Sequence, residues 1–225
     1  HRDPQSASLH FEKGSICLRS HDTICALDAF TKATEYDSQN PANWSALGLV
    51  QLMQDNQDDA LSSLSRSIEH GSKWAGDYIN RGIIYYRKHN YRSALADYDK
   101  AVALSPRDAQ CYYNRGVLRQ ELGDYNRALE DLTQAINFAP DKIEIYYQRA
   151  LVQLQLRQWQ DALNDLNTIM DRYPYLLPAY YLAAQAQTSL GHGKEAYQLR
   201  QQAYNLEQKK DSIQSLQTNM QVAES

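Results

Sequence analysis

The sequence predicts an all-α fold, a solenoid of six helix–turn–helix repeats, and three observations predict it. The segments Tyr78-Ile79-Asn80-Arg81-Gly82, Tyr112-Tyr113-Asn114-Arg115-Gly116 and Tyr146-Tyr147-Gln148-Arg149-Ala150 recur 34 residues apart. Extended without insertion, that frame places a small residue at repeat position 8 six times (Gly14, Gly48, Gly82, Gly116, Ala150, Ala184). It places alanine at position 20 equally often (Ala26, Ala60, Ala94, Ala128, Ala162, Ala196). Within a repeat, apolar residues step at helical spacing: Tyr112, Gly116 and Val117, then Ala128, Leu129, Leu132, Ala135 and Ile136.

The frame divides the chain into an N-terminal extension (1–6), repeats at 7–40, 41–74, 75–108, 109–142, 143–176 and 177–210, and a last segment, 211–225. Asn40-Pro41 opens the second repeat with a capping residue and a proline suited to the first helical turn. In the fourth repeat Gly123 supplies a left-handed residue after the first helix, and Asp124 caps the second. Pro106, Pro140 and Pro174 stop second helices. The small residue at position 8 is expected to face position 20 across each hairpin, where a larger group would overpack. One hairpin cannot bury its apolar stripes alone, so neighbours stack. Ile213, Leu216, Met220 and Val222 lie among polar residues, which fits a separate helix capping the last repeat, with a linker as the alternative.

Composition excludes several function classes. The 225-residue chain is 43% apolar with a net charge of −4. It has no long run of like charge, so no nucleic-acid or anionic-membrane footprint is expected. No apolar run approaches the ~20 residues of a spanning helix, so no direct membrane insertion is expected. The sequence opens on His1-Arg2-Asp3-Pro4 without Met, so a targeting segment can have been removed. The compartment stays open between cytoplasmic and exported or periplasmic. Cys17, Cys25 and Cys111 form no CxxC and are expected as buried free thiols, with a Cys17–Cys25 bridge between antiparallel helices as the alternative.

Motifs of catalysis and metal binding fail on inspection. Gly191-His192-Gly193-Lys194 lacks the upstream glycine of a phosphate loop, where Thr188 stands, and Glu195 replaces its Ser/Thr. His1-Arg2-Asp3 has none of the companion motifs of a kinase. The six histidines form neither HxxxH nor HExxH. The expectation is no enzymatic activity, no cofactor and no metal.

The aromatic, small, Ala, large and Pro positions are met in Trp44, Gly48, Ala60 and Leu64, and again in Tyr78, Gly82, Ala94, Tyr98, Ala101 and Pro106. This pattern resembles the tetratricopeptide repeat from residue 7 to about 208. The end units depart from it: Arg200 replaces the large apolar residue, and Ser38, Ser72 and Gln208 replace the proline. The resemblance implies a right-handed superhelix whose first helices line a concave groove, contacting ligands from positions 2, 5, 6, 9, 12 and 13. It also implies a non-catalytic scaffold or adaptor for a protein or peptide. The family's chaperone carboxylate clamp is incomplete, since Ile79 and Tyr113 stand at position 5, Ile83 and Val117 at 9, and Gln110 and Glu144 at 2.

What remains is a row, Asn80, Asn114 and Gln148, flanked by Tyr113, Tyr147, Tyr181, Ile79, Ile83, Val117, Leu151 and Gln185. It resembles the asparagine ladder on the inner wall of the repeats of O-GlcNAc transferase, which grips an extended peptide backbone. Amides donate and accept at once, which suits backbone recognition. The aromatic position 4 (His10, Trp44, Tyr78, Tyr112, Tyr146, Tyr180) is expected between adjacent repeats and absorbs much of the excess of 17 Tyr over 3 Phe. Arg81, Arg115 and Arg149 at position 7 co-occur with Asp97, Asp131 and Asp165 at position 23, which predicts three bidentate ion pairs within repeats. Two other readings stay open: a solenoid that self-associates, and a docking part of a larger protein. A monomer or weak dimer is expected.

Overall fold

The computed structural model describes residues 3–223, with side-chain environments from residue 3 to residue 209. Twelve α-helices and no strand are present among the described residues. In chain order they are α1 (Pro4–Arg19), α2 (Thr23–Tyr36), α3 (Pro41–Met53), α4 (Gln57–Glu69), α5 (Ala75–Arg87) and α6 (Tyr91–Leu104). They continue as α7 (Ala109–Glu121), α8 (Tyr125–Phe138), α9 (Ile143–Gln155), α10 (Trp159–Arg172), α11 (Leu177–Ser189) and α12 (Gly193–Ala223). The chain forms two compact units, His1–Leu118 and Arg119–Ser225. In the first, α1 packs on α2, α2 on α3, α3 on α4, α4 on α5 and α5 on α6. In the second, α8 packs on α9, α9 on α10, α10 on α11 and α11 on α12.

The turn inside every repeat obeys one rule. Position 15 takes the left-handed conformation six times: His21, Asp55, His89, Gly123, Arg157 and Gly191, with φ between 57° and 82°. Only two of these are glycine. In the first four repeats the following residue caps the second helix: Asp22, Asn56, Asn90 and Asp124 accept from backbone N–H groups of Cys25, Asp59, Ser93 and Arg127. Second helices end two residues before Pro106, Pro140 and Pro174, because the residue before a proline is driven out of the helical region.

Both ends depart from the expected boundaries. Helix α1 begins at Pro4, inside the segment read as an extension, because Asp3 accepts from the N–H and hydroxyl of Ser6 while Pro4 fills the first turn. At the other end no separate capping helix is present among the described residues. Residues 211–223 continue α12, since Gln208 stands where repeats 3 to 5 have the helix-stopping proline and no Gly or Pro follows.

Two contacts correct the packing expected from sequence. A Cβ added to Gly14, Gly48 or Gly82 would first meet Phe30, Leu64 or Tyr98, at 2.7, 2.8 and 2.6 Å. Position 8 therefore abuts position 24, one helical turn beyond the alanine at position 20. The Cys17 and Cys25 sulfurs are joined, so two of the three expected free thiols form the alternative bridge between α1 and α2, and Cys111 alone is free and buried.

The tyrosine excess acquires a specific cause. The hydroxyls of Tyr112, Tyr146 and Tyr180 donate to the carbonyls of Pro106, Pro140 and Pro174, six residues earlier, at 3.0–3.1 Å. Trp44 does the same through Nε1 to the Ser38 carbonyl. Phenylalanine would remove this donor from the carbonyl where each preceding helix has stopped, although the Pro140 carbonyl also accepts from Arg172 Nη1 at 2.9 Å.

Candidate functional site

The position-7 arginines join neighbouring repeats. Arg81 donates from Nε and Nη2 to Asp97 at 2.8 and 2.7 Å, and Arg149 does the same to Asp165. Both carboxylates are buried, and both guanidinium pKa values are raised, chiefly by those hydrogen bonds. The third nitrogen points backwards along the chain. Arg81 reaches Ser65, Arg115 reaches Asp99 and Arg149 reaches Thr133, each at position 25 of the preceding repeat. Arg115 and Asp131 belong to different units; within its own unit Asp131 accepts from Arg119 at 2.8 Å. Sequence comparison missed position 25 and Arg119 because Ser, Asp and Thr share no obvious pattern beyond polarity. These arginines are committed to structure, as is Asp77, a fully buried carboxylate that accepts from the Ser45 and Ser67 hydroxyls at 2.6 Å.

The expected groove residues fall into two sets. On α5 and α7 of the first unit, Asn80, Ile83, Tyr113, Asn114 and Val117 are half-buried. Ile79 is 8% exposed and packs with Tyr78, Ala101 and Cys111, so it is core rather than groove lining. The Asn114 amide oxygen already accepts from Gln110, and its nitrogen has no hydrogen-bond partner. Asn114 therefore has its amide N–H groups free to donate, and its oxygen keeps one lone pair. On α9 and α11 of the second unit, Tyr147 and Gln148 are half-buried, and Tyr181 and Gln185 are exposed. Tyr147 also packs against the core around Ala150 and Leu154.

Another concavity lies in repeats 1 and 2. A cavity of about 680 Å³ is walled by Phe11, Ser15 and Leu18 of α1 and by Ser45, Ala46 and Leu49 of α3. The loop Gly71–Trp74 closes one side. Those side chains occupy positions 5, 9 and 12 of repeat 1 and 5, 6 and 9 of repeat 2, the same groove positions expected to carry a ligand further along. The available signal was the apolar or small character of Phe11, Leu18, Ala46 and Leu49 at those positions. Among the described residues no group of three or more His, Cys, Asp or Glu could hold a metal ion, and no helix is long and apolar enough to cross a membrane.

Two family models described as tetratricopeptide repeat match residues 82–142 and 144–174. Residues 82–174 thus carry tetratricopeptide repeats. No curated protein sequence matches it. Among solved structures, it is similar to YrrB, described as a TPR protein with an unusual peptide-binding site, at 20% identity and TM-score 0.75 over 87% of this chain and 100% of that one. It is also similar to PilF of Pseudomonas aeruginosa, at 16% identity and TM-score 0.74 over 96% and 98% of the two chains. A tetratricopeptide repeat protein from Parabacteroides merdae matches at 20% identity and TM-score 0.70, over 94% and 88%. At these identities the likeness is one of fold. Tetratricopeptide-repeat chains are protein-interaction scaffolds, with proteins or peptides as partners.

Proposed function

We propose that this scaffold binds an extended segment of another protein on the groove positions of its first helices and performs no catalysis itself. One observation carries the proposal: groove positions of the first repeats line an open, largely apolar cavity of about 680 Å³, within the range of small-ligand and peptide-anchor sites. Asn80, Asn114 and Gln148, with Tyr113, Tyr147, Tyr181, Ile83, Val117 and Gln185, extend the same positions along the later repeats and offer amide donors and aromatic area to a backbone. The peptide-binding site named for YrrB supports such a use of the fold.

Site-specific photocrosslinking tests it. A photoreactive residue at Leu49 or Tyr113 captures the same polypeptide from native extract, whereas one at Asp58, whose side chain is 84% exposed and outside the groove, does not. Replacing Asn80 and Asn114 by Ala weakens binding of that polypeptide by about 0.5–1.5 kcal/mol per hydrogen bond lost, with the melting curve unchanged. Capture from Asp58 alone refutes groove binding.

A further inference from the structure

The cavity of repeats 1 and 2 has a chemistry that selects among ligands. Its walls are apolar, but its serines are not neutral bystanders. The Ser45 hydroxyl donates to the buried Asp77 carboxylate at 2.6 Å, and the Ser15 hydroxyl donates to the Phe11 carbonyl at 2.9 Å. Each hydroxyl carries one proton. With both protons engaged inside the protein, these oxygens can only accept from a ligand, so the pocket favours a guest bringing N–H groups. A peptide backbone does; a fatty-acid chain does not.

The rim adds a charge. Lys73 lines the cavity, is exposed, and has no acidic partner among the described residues. Beside it the Trp74 ring is 55% exposed, unusual for so large an apolar group. The ring sits against Gly76, where an added Cβ would stand 2.9 Å from it. Glycine at 76 thus leaves room for the indole, which lines the pocket.

We infer that this pocket is the anchor site for a partner segment in which a large apolar side chain is followed by an acidic residue, the apolar group seated against Trp74, Phe11 and Leu49 and the carboxylate paired with Lys73. This inference rests on the reading that groove positions bind protein segments, and it names which segment.

The test uses the full chain and fluorescein-labelled, C-terminally amidated dodecapeptides of Gly and Ser carrying a central Leu-Asp, Leu-Lys or Ser-Asp pair, followed by fluorescence polarisation. Leu-Asp binds at least about tenfold more tightly than Ser-Asp, the worth of one buried leucine side chain. It binds roughly threefold to fivefold more tightly than Leu-Lys at low salt, a margin that shrinks as salt is added. Lys73→Gln abolishes the Asp-over-Lys preference and keeps the Leu-over-Ser preference. Gly76→Ala, which displaces the indole, and Trp74→Ala both reduce the Leu-over-Ser preference. Circular dichroism melting of each variant matches the parent, since both rim residues are exposed. Equal affinity for all three peptides, no binding at millimolar protein, or displacement of the peptide by decanoate as the tighter ligand overturns the inference. Peptide binding that ignores Lys73 and Trp74 but is lost in Asn80→Ala/Asn114→Ala also overturns it, while leaving groove binding intact.

Discussion

Replacing Arg149 by Leu removes one partner of a pair that the fold has largely taken out of water. The Arg149 and Asp165 side chains are 18% and 5% exposed, and the described hydrogen bonds to Asp165 both come from Arg149. With charge centres about 4 Å apart and an effective dielectric near 20, the attraction is worth roughly 4 kcal/mol. That agrees with the ~3–5 kcal/mol lost when a buried pair is broken from one side. Arg149→Leu is therefore expected to destabilise by about 3–5 kcal/mol. Asp165→Leu costs less, because the long arginine, already partly exposed, can carry its charge outward. The double variant returns to within about 1–2 kcal/mol of the parent, since neither charge remains to be desolvated. Urea unfolding followed through Trp159, on the same helix as Asp165, reads this hairpin directly. A single Arg149→Leu variant within 1 kcal/mol of the parent, or a double variant no better than the single, refutes the reasoning.

Three further outcomes are expected. Arg157 holds φ at 58° on a side-chain-bearing residue, so Arg157→Gly raises stability by about 0.5–1 kcal/mol in the same urea assay. Gly82→Ala lowers it by about 1–3 kcal/mol, because the new Cβ would stand 2.6 Å from the buried Tyr98 ring, and a second change, Tyr98→Leu, restores much of the loss, as Ala150 is accommodated opposite Leu166. Burial pushes the Cys111 thiol from its ordinary 9.0 up to about 11, and burial also raises the Tyr98 phenol. Both folded-state values lie above the unfolded ones, so the stability they contribute is complete below pH 9 and is lost as pH rises through the folded values. The urea midpoint falls between pH 9 and 11, and Cys111→Ala flattens that limb.

Much of the fold was legible because the same physical problem is solved six times. Close approach at position 8, the alanine at position 20 and, in repeats 3 to 5, the proline at 32 each leave a repeated residue type, and repetition separates signal from accident. The Arg81–Asp97 and Arg149–Asp165 pairs were legible for the same reason, through co-occurrence. Features that occur once were not. The Cys17–Cys25 bridge could be read only as an alternative to free thiols, and nothing in the sequence places Ser45 and Ser67 on Asp77. The position of the cavity was hidden too, since a void is set by how neighbouring helices diverge around Phe11 and Leu49 and not by those residues alone. Left-handed His21, Asp55, His89 and Arg157 were silent because glycine, the usual marker, is missing from those turns.

The hydroxyl bonds of Tyr112, Tyr146 and Tyr180 make those phenols gauges of pitch. Each ties a first helix to the carbonyl at which the preceding repeat stopped, so each phenolic proton persists only while that one junction is closed. With tyrosine selectively labelled, the hydroxyl protons would give three separate magnetic-resonance signals, one per junction, whose exchange with water speeds up wherever the spring opens. A partner that lengthens or twists the array on binding would thereby report which joint it bends, without any probe being attached.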